Sequence, residues 1–551
     1  MTSTDLARAL VDLLVEAGVE HVVVCPGSRS APLAFASYDA ARDGRVTLHT
    51  RIDERTAGFL ALGIAKSSRR LTVVLCTSGT ATANLHPAVL EAAHAGVPLV
   101  AVTADRPASL RGTGANQTTD QVGLYGDAAV SFDIASEEDL THVRFGAGPV
   151  HLNVQLTEPL VPPPATVIST QQPSRNPVYA GVGSETGTRA SSSASAGTTD
   201  PPRRRWAAAE DAVRLASGPR TVVVAGDGAG PPARGLAERT GWPLFAEPSS
   251  GSRTGDSVIR GYRLLLDSDL GEQIQRVVVC GHPTLSRPVT RLLARDIEVV
   301  SVPPRGRWVG RPHPVSQEAA AFDADPDDPS WFAAWKARDL EVTRRLDALV
   351  EAEELGPHAV AREVSAAVPP GGQLYVGASN PIRDLDLMAA HYEVGARRKV
   401  LANRGLSGID GTLSSAIGAA LTRPGARNLA LVGDVTFLHD MTALVIGPDE
   451  PRPDLTIVVV NDDGGSIFAS LEQGGPSYAE PFERIFGTPH GVDLASLCAA
   501  THTPHWRVES VPELRQALAT PNGGIEVVEV RCRRDNRRAL DEAIRNLAVD
   551  Q

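Results

Sequence analysis

A carboxylate and an amide stand at the ends of two successive apolar segments in the C-terminal third of this chain. Asp434 follows the segment Asn428–Gly433, and Asn461, 28 residues after Gly433, follows Leu455–Val460. Both segments are short and aliphatic with turn residues directly after them, which is typical of buried parallel strands. Ligands of open α/β sheets bind beyond the carboxyl ends of strands, so both side chains can face one hard cation.

One carboxylate and one amide oxygen form a weak set for Mg²⁺, because this ion dehydrates reluctantly and is usually bound together with substrate phosphates. The pair therefore implies a ligand that carries a diphosphate. The alternative is that Asp434 only caps a following helix, and Phe437–Ile446 has helical spacing. The remaining motifs of the chain must decide between these interpretations.

The composition is that of a folded protein with several domains. The chain has 551 residues, of which 42% are hydrophobic and 21% charged. Its formal net charge of −12 argues against a general nucleic-acid binder, which carries a basic surface. It contains no run of 18 apolar residues, so we expect no transmembrane segment.

The cysteines and the first residues of the chain bear on its location. Five cysteines, odd in number and without metal-ligand spacing, predict reduced thiols in a reducing compartment. Asp5 and Asp12 interrupt the apolar pattern of Met1–Leu14, and no basic leader precedes it, which predicts a helix and no signal peptide. We therefore expect a cytoplasmic protein.

The alternation of strands and helices predicts an α/β protein with three doubly wound parallel-sheet domains. The first block covers 1–165, the middle block 204–340 and the third block 355–551. Between the first two blocks, 166–203 fall in a stretch rich in Pro, Ser, Thr and Gly, which predicts a flexible linker. A charge-rich helix over Asp339–Glu354 is expected to join the middle and third blocks.

A glycine run, Gly226-Asp-Gly-Ala-Gly230, follows an apolar segment in the middle block. Such a run can mark a dinucleotide site. That fingerprint also requires an acidic residue at the end of a strand about 20 residues further on, and none is convincing here. We therefore interpret the run as a tight structural turn.

Eight short motifs follow one another at predicted strand ends and turns. They are Cys25-Pro-Gly-Ser-Arg-Ser30, Thr77-Ser-Gly-Thr-Ala81, Ala104-Asp-Arg-Pro107, Gly114-Ala-Asn-Gln117, Gly377-Ala-Ser-Asn380, Asn403-Arg-Gly405, Gly408-Ile-Asp-Gly411 and Phe437-Leu-His-Asp440. With Glu54 and the Asp434 to Asn461 spacing, they resemble the MenD family of menaquinone biosynthesis, the 2-succinyl-5-enolpyruvyl-6-hydroxy-3-cyclohexene-1-carboxylate synthases. The resemblance covers the first block and nearly the whole third block, and it is weak in the middle block.

The resemblance implies a thiamine diphosphate enzyme that decarboxylates 2-oxoglutarate and adds the succinyl-semialdehyde carbanion to isochorismate, releasing CO2. It implies a pyrimidine-binding first domain, a Rossmann-like middle domain and a diphosphate- and Mg²⁺-binding third domain, with Mn²⁺ also accepted. In relatives the glutamate of one subunit meets the metal ligands of another. A homodimer or homotetramer with active sites at the subunit interface is therefore expected, with no nucleic acid among its partners.

Glu54 is the residue that the resemblance places at the aminopyrimidine of the cofactor. A carboxyl there could protonate the pyrimidine ring nitrogen and favour the imino form that removes the thiazolium C2 proton. This role requires that Glu54 be buried, with a raised pKa. The alternative is an exposed acid in the first turn of the helix Thr56–Ala65, where the helix dipole favours it.

The resemblance also implies the remaining contacts to the cofactor and the metal. The cofactor-binding residues are Pro26, Gly27, Glu54, Thr77, Ser379, Asn380, Gly408, Ile409, Gly433, Asp434, Ile467 and Phe468. The metal ligands are Asp434, Asn461 and the backbone carbonyl of Asp463. Ile409 would prop the cofactor into its V shape, although an ordinary core isoleucine is an equally good interpretation of this position.

Both implied substrates are polyanions, and arginine grips carboxylates in a planar fork better than lysine does. The catalytic residues implied are Glu54, Arg29, Arg106, Gln117, Arg383 and Arg404. The substrate-binding residues implied are Ser28, Arg29, Arg106, Asn116, Gln117, Ser379, Arg383, Arg404, Ile467, Phe468 and Leu471. The last three would also exclude water from the thiazolium. Each arginine alone could instead form a solvated surface ion pair.

Two departures from the family pattern stand out. Ser466 lies where the family often has glycine, which puts a left-handed backbone there in doubt. Between Ile134 and Gly148 only about a dozen residues precede the strand at Val150, so the usual long crossover helix is expected to be shortened or lost.

Two other functions compete with the synthase. One is a simpler thiamine diphosphate-dependent 2-oxoacid decarboxylase or carboligase, which would not need so many arginines at strand ends. The other is an inactive, cofactor-binding regulatory homologue, which would not need Glu54 together with both metal ligands.

Overall fold

The computed structural model describes residues 2–162, 211–307, 310–353 and 355–548. Its three large sheets contain six, five and six strands, and all their strand pairs are parallel. This architecture confirms the predicted α/β class. The linker predicted at 166–203 lies outside the described residues, and the three block boundaries stay predictions.

The first domain, 2–162, is a sheet with the strand order β2-β1-β3-β4-β6-β5. Its strands are β1 His21–Val24, β2 Thr47–Thr50, β3 Thr72–Cys76, β4 Leu99–Asp105, β5 Val130–Ile134 and β6 Val150–Gln155. Its helices are α1 Ser3–Glu16, α2 Ala31–Arg42, α3 Glu54–Ser68, α4 Thr80–Asn84, α5 His86–Ala95 and α6 Glu137–Leu140. The crossover before β6 therefore holds only the four-residue helix α6, as the short sequence there predicts.

The middle domain, 211–328, has the sheet order β12-β11-β10-β8-β9 and a separate pair, β13-β7. Its strands are β7 Val213–Arg214, β8 Thr221–Ala225, β9 Leu244–Ala246, β10 Arg276–Cys280, β11 Glu298–Ser301, β12 Gln317–Glu318 and β13 Phe322–Asp323. Its helices are α7 Pro231–Thr240, α8 Tyr262–Leu265, α9 Asp269–Glu272 and α10 Arg287–Leu293.

The glycine run forms the loop between β8 and α7. A Cβ at Gly226 would lie 2.0 Å from the backbone nitrogen of Pro283, and Gly228 and Gly230 have positive φ. These constraints are those of a tight turn.

A single helix, α11 Pro329–Ala352, connects the middle and third domains. It begins ten residues before the predicted Asp339, because Asp328 caps it and Trp331 and Trp335 bury their rings against the middle domain. The predicted boundary at 340 therefore falls inside this helix.

The third domain, 355–548, has the strand order β15-β14-β16-β17-β19-β18. Its strands are β14 Gln373–Val376, β15 Lys399–Leu401, β16 Asn428–Gly433, β17 Leu455–Asn461, β18 His505–Val508 and β19 Ile525–Arg531. Its helices are α12 Pro357–Ala367, α13 Asn380–Met388, α14 Thr412–Leu421, α15 Asp434–His439, α16 Ser466–Ala469, α17 Ala479–Phe482, α18 Leu494–Ala500, α19 Val511–Ala519 and α20 Arg537–Asn546.

The helix predicted over Phe437–Ile446 is wrong in its bounds. The α-helix α15 begins at Asp434 and ends at His439, and a 3₁₀ turn, Met441–Leu444, follows. The break coincides with Asp440, whose buried carboxylate accepts hydrogen bonds from the N–H of Ser414 at 2.7 Å and from its hydroxyl. A contact to a distant helix thus decides where α15 ends.

The first and third sheets have the same strand order, and equivalent helices of the two domains pack on each other. Helix α3 follows the second strand of the first sheet, and α14 follows the second strand of the third sheet. Apolar side chains of both helices, among them Leu60, Ile64 and Ile417, share one buried core. This core joins the two domains into one body.

Candidate active site

Asp434 and Asn461 lie side by side at the carboxyl end of the third sheet. Gly433 of β16 is paired with Val460 of β17. The next residues, Asp434 and Asn461, therefore lie beside each other. Both side chains are buried, and Asp434 is 2% exposed. The predicted pair of oxygen ligands is therefore brought together by the sheet register.

Asp434 is the first residue of helix α15, whose N-cap is Gly433, so Asp434 is not the cap that the alternative interpretation proposed. Its Oδ1 accepts the N–H of Val435 at 2.7 Å and its Oδ2 accepts the N–H of Gly464 at 2.9 Å. The imidazole Nε2 of His490 lies 3.1 Å from the same Oδ2. These contacts fix the carboxylate against the loop that follows β17.

The amide of Asn461 is oriented by a carboxylate on the neighbouring strand. Its Nδ2 donates to Glu529 Oε1 at 2.6 Å, and His505 in turn lies 3.0 Å from Glu529 Oε2. The Oδ1 atom accepts the N–H of Asp463 at 3.1 Å and faces the loop. Glu529 was not predicted, although a glutamate inside the apolar strand β19 is the kind of signal that could have identified it.

The side chain of Asp463 points away from Asn461, as expected if only its backbone carbonyl serves a metal. Its Oδ1 accepts the N–H groups of Gly491 at 2.8 Å and His490 at 3.1 Å, and these bonds lower its pKa. Its carbonyl oxygen accepts a hydrogen bond from Arg534 at 3.0 Å. His490 and Arg534 had no recognisable signal in the sequence.

The doubt about Ser466 does not apply, because the left-handed positions lie earlier in the loop. Asp463 has a φ of +61° and Gly464 of +139°, whereas Ser466 begins helix α16. A side chain at Gly464 would meet the carbonyl oxygen of Gly487 at 2.0 Å. The loop is therefore shaped by Asp463 and Gly464, and Ser466 is free to accept a hydrogen bond from Asn380 Nδ2 at 2.8 Å.

The donor set fits a hard divalent cation that is completed by phosphate oxygens. Among the described residues, no group of three or more His, Cys, Asp or Glu side chains is placed to hold a metal on its own. A Cβ at Gly433 would meet nothing within 4 Å, so there is room beside Asp434 for a ligand. Oxygen donors of this kind suit Mg²⁺ or Mn²⁺.

Ser379 and Asn380 lie across from this loop at the start of helix α13. Ser379 has a φ of +71°, a conformation that costs a non-glycine residue energy and is often retained at binding sites. Its carbonyl oxygen accepts a hydrogen bond from Arg383 Nη1 at 2.6 Å. The exposed N–H groups at a helix start bind phosphate well.

Glu54 is the first residue of α3 and is only partly buried in the single chain. The expectation that it is buried is therefore wrong for one chain alone. Asp53 caps the helix by accepting the N–H groups of Arg55 and Thr56. The pKa of the Cys25 thiol is raised mainly by burial and secondly by the negative charge of Glu54. Glu54 therefore lies near the motif that begins at Cys25.

The motifs after β1 and β3 touch each other. A Cβ at Gly27 would lie 2.3 Å from the Cβ of Thr77, so the two loops approach as closely as glycine permits. Pro26, Ser28 and Asn116 are exposed, and the side chains of Ser28 and Asn116 form no hydrogen bond to a described residue.

Arg106 and Gln117 are tied together through Ser78. Arg106, 9% exposed, donates to Ser78 Oγ at 2.8 Å and to the carbonyl oxygen of Gln117 at 2.7 Å. Gln117, which has a φ of +57°, donates back to the carbonyl oxygen of Ser78 at 2.9 Å. Arg29 donates to the carbonyl oxygen of Leu156, and burial, then the charge of Arg106, lower its pKa.

Arg383 and Arg404 form a second pair of cations in the third domain. Arg404 is 3% exposed and donates from Nη2 to Thr284 Oγ1 at 2.7 Å. Burial, and then the charge of Arg404, lower the pKa of Arg383 to about 10. The two cations therefore repel each other, which favours an anionic ligand between or beside them.

None of the four predicted arginines forms a salt bridge with a carboxylate of the described residues. The interpretation of Arg29, Arg106, Arg383 and Arg404 as surface ion pairs therefore does not hold. Each arginine is instead held by backbone carbonyl or hydroxyl oxygens.

Apolar side chains border the metal-binding loop. Ile467, Phe468 and Leu471 are partly buried, and the ring of Phe468 packs on Phe486 with centroids 5.6 Å apart. Ile409 is also only partly buried, so it is not an ordinary core isoleucine. Neighbouring Gly408 is partly buried as well.

Comparison with known families matches both outer domains. The profile of the thiamine pyrophosphate enzyme N-terminal TPP binding domain matches residues 4–124. The profile of the thiamine pyrophosphate enzyme C-terminal TPP binding domain matches residues 385–545. The fold and the site therefore define a thiamine pyrophosphate enzyme.

Curated relatives extend over the whole chain. A 2-succinyl-5-enolpyruvyl-6-hydroxy-3-cyclohexene-1-carboxylate synthase of a Nocardioides species is 60% identical, covering 99% of this chain and 98% of the relative. Synthases of Kineococcus radiotolerans and Saccharopolyspora erythraea are 44% and 43% identical, and each comparison covers 98% of both chains. The chain belongs to the family of 2-succinyl-5-enolpyruvyl-6-hydroxy-3-cyclohexene-1-carboxylate synthases, and the resemblance in its motifs is confirmed.

Within the described part of the chain, every helix is too short or too polar to cross a membrane. The five cysteines are all unpaired thiols, as expected from their number and spacing.

Proposed function

We propose that this protein decarboxylates 2-oxoglutarate with thiamine diphosphate and joins the remaining four-carbon unit to isochorismate, giving 2-succinyl-5-enolpyruvyl-6-hydroxy-3-cyclohexene-1-carboxylate and CO2 in menaquinone biosynthesis. The observation that carries this proposal is the set of four arginines that form no salt bridge with a carboxylate of the described residues. Arg106 and Arg404 are almost fully buried, and a buried cation is costly unless an anion pairs with it. Carboxylates of the two substrates would supply that anion.

In this proposal the third domain holds the cofactor tail. Asp434, Asn461 and the carbonyl of Asp463 would bind Mg²⁺ or Mn²⁺, and Ser379, Asn380 and Gly433 would contact the diphosphate. When bound, thiamine diphosphate supplies the electron sink for the loss of CO2. The chain itself orients the substrates, holds their charges and excludes water.

Glu54 would hold a proton at the pyrimidine ring nitrogen. The partial exposure of Glu54 in one chain supports a site that is completed by a second subunit. We therefore propose a homo-oligomer, dimer or tetramer, in which the first domain of one chain faces the third domain of another.

Product analysis tests the proposed function. Purified protein with thiamine diphosphate and Mg²⁺ is incubated with 2-oxoglutarate, with and without isochorismate, while CO2 and the coupled product are measured. The proposal requires CO2 and the coupled product in equal amounts when both substrates are present. CO2 without coupled product would instead indicate a simple decarboxylase, and cofactor binding without turnover an inactive homologue.

A further inference from the structure

The loop that carries Arg404 is held by the first domain. This loop, 402–406, follows β15, and Glu91 of α5 lies beneath it. One oxygen of the Glu91 carboxylate accepts the N–H of Gly405 at 2.8 Å, and the other accepts the N–H of Leu406 at 2.7 Å. Glu91 is 4% exposed, so these two bonds are made out of contact with water.

The same loop is fixed at its other end and by close packing. Lys66 of α3 donates to the carbonyl oxygen of Ala402 and lies 4.0 Å from Glu91. A Cβ at Gly405 would lie 2.6 Å from the carbonyl oxygen of Glu91. The backbone on both sides of Arg404 is therefore immobilised by the first domain.

The middle domain fixes the guanidinium itself. Thr284, in the loop after β10, accepts hydrogen bonds at Oγ1 from Nε of Arg404 at 3.2 Å and from Nη2 at 2.7 Å. The backbone of Thr284 is held in turn, because Glu247 Oε1 accepts its N–H at 3.0 Å and the N–H of Leu285 at 2.9 Å. Nη1 of Arg404 donates to no described residue.

Two other buried arginines of this protein form salt bridges, whereas Arg404 forms none with the described residues. Arg253 pairs with Asp386 at 3.1 Å, and Arg537 pairs with Asp384 at 2.6 Å. Arg404 is as deeply buried as these two but has hydroxyl and carbonyl oxygens in place of a carboxylate. An arrangement that orients a buried cation without a salt bridge to a carboxylate suits a binding site better than a structural contact.

We propose that Thr284 and Glu91 are positioning residues that hold Arg404 for a substrate carboxylate, so that the middle domain sets the affinity for one of the two anionic substrates. This inference rests on the proposed function. The middle domain contributes none of the implied cofactor-binding residues, and the hydrogen bonds of Thr284 give it a role in substrate binding. Thr284 would act through the orientation of Arg404, since a carboxylate fork depends on the geometry of its donors.

The variant Thr284→Val tests the inference, because it keeps the shape of the side chain and removes the hydroxyl oxygen that accepts from Nε and Nη2 of Arg404, leaving only the backbone carbonyl of Thr284. KM is first measured for both substrates with the variant Arg404→Lys. The substrate whose KM rises most is the one that depends on Arg404. For that substrate we expect Thr284→Val to raise KM about tenfold, with kcat changed by less than about twofold. Thr290→Val, at an exposed position of α10, is the matched control and should change neither constant.

A double-mutant cycle separates positioning from a general structural role. In the Arg404→Lys background, Thr284→Val should change KM by less than about twofold, because the residue through which it acts is already altered. An undiminished effect in that background would overturn the inference. So would an equal fall in kcat for both substrates accompanied by a lower melting temperature.

Glu91→Gln provides a second, independent variant. The carboxylate of Glu91 accepts the N–H groups of Gly405 and Leu406 with its two oxygens. A glutamine has only one oxygen, so its NH2 group would face one of these two N–H donors. We expect the same substrate-selective rise in KM, whereas Glu363→Gln, at a buried glutamate paired with Arg515, should leave KM unchanged. If the wild-type protein forms no coupled product, the proposed function fails. If it does and both variants leave KM unchanged, only this inference fails.

Discussion

Gly63 of α3 and Ser415 of α14 touch backbone to backbone. A Cβ at Gly63 would lie 2.1 Å from the carbonyl oxygen of Ser415, and a Cβ at Gly418 would lie 2.2 Å from the carbonyl oxygen of Leu60. The first and third domains thus meet through two helices at a distance that only glycine permits. The core between them depends on this spacing.

Gly63→Ala is expected to destabilise the protein by about 1–3 kcal/mol, because the added methyl group must push the two helices apart. The measurement is the urea midpoint of unfolding. Gly148→Ala is the control, since a Cβ there meets nothing within 4 Å and the backbone is not left-handed. Equal midpoints for the two variants would show that α3 and α14 can separate without cost.

Asp434→Ala and Asn461→Ala should each abolish binding of thiamine diphosphate with Mg²⁺, because each removes an oxygen from a set that is already small. Isothermal calorimetry measures this directly. Asp454→Asn, at an exposed position directly before β17 and far along the strand from Asn461, should bind like the wild type. Retained binding in both alanine variants would place the metal elsewhere.

Glu54→Gln separates the two interpretations of this residue. If Glu54 holds a proton for the cofactor, kcat should fall at least about a hundredfold. If it is only an acid of the first helical turn, the variant should lose about 0.3–1 kcal/mol of stability and keep its activity. The matched control is Asp53→Asn, which retains a helix cap and should retain activity in either case.

Mixing Glu54→Ala with Asp434→Ala protein tests the site shared between subunits. After dissociation and random reassociation into dimers, hybrid molecules contain one intact site, and about a quarter of wild-type activity should return. Each variant alone, treated in the same way, controls for residual activity. A mixture as inactive as its components would indicate that each site is built within one chain.

The stability of the protein should fall with rising pH because of Glu247. Burial raises its pKa from 4.5 to about 8, although Arg404 opposes this rise, so the folded state favours the protonated form. The stabilisation is fully present below the unfolded pKa and is lost as the pH rises through about 8. Glu247→Gln should therefore melt at a higher temperature than the wild type at about pH 9 and at a similar temperature at about pH 5.

Local sequence was sufficient for the strands that carry the site. The bounds predicted for Asn428–Gly433 agree with β16, and those for Leu455–Val460 fall one residue short of β17, because an aliphatic run between turn residues is typical of a buried parallel strand. The proximity of Asp434 and Asn461 could be predicted in the same way, because the carboxyl ends of adjacent parallel strands lie at one edge of the sheet.

The features that sequence could not predict depend on distant contacts. The end of α15 depends on a bond between Asp440 and Ser414, and the position of Arg404 depends on Thr284, 120 residues away. His490 contacts Asp434 from a loop whose sequence has no recognisable motif. The burial of Glu54 was predicted from its role, whereas in one chain its surroundings leave it partly open.

The outer sheets of each chain share one strand order and pack on each other through the equivalent helices α3 and α14. One subunit therefore contains two similar but chemically different halves, one with Glu54 and one with Asp434 and Asn461. Two subunits related by a true twofold axis would then form an assembly with four quasi-equivalent halves. Each thiamine diphosphate would need one half of each kind, so a dimer would carry two reaction centres.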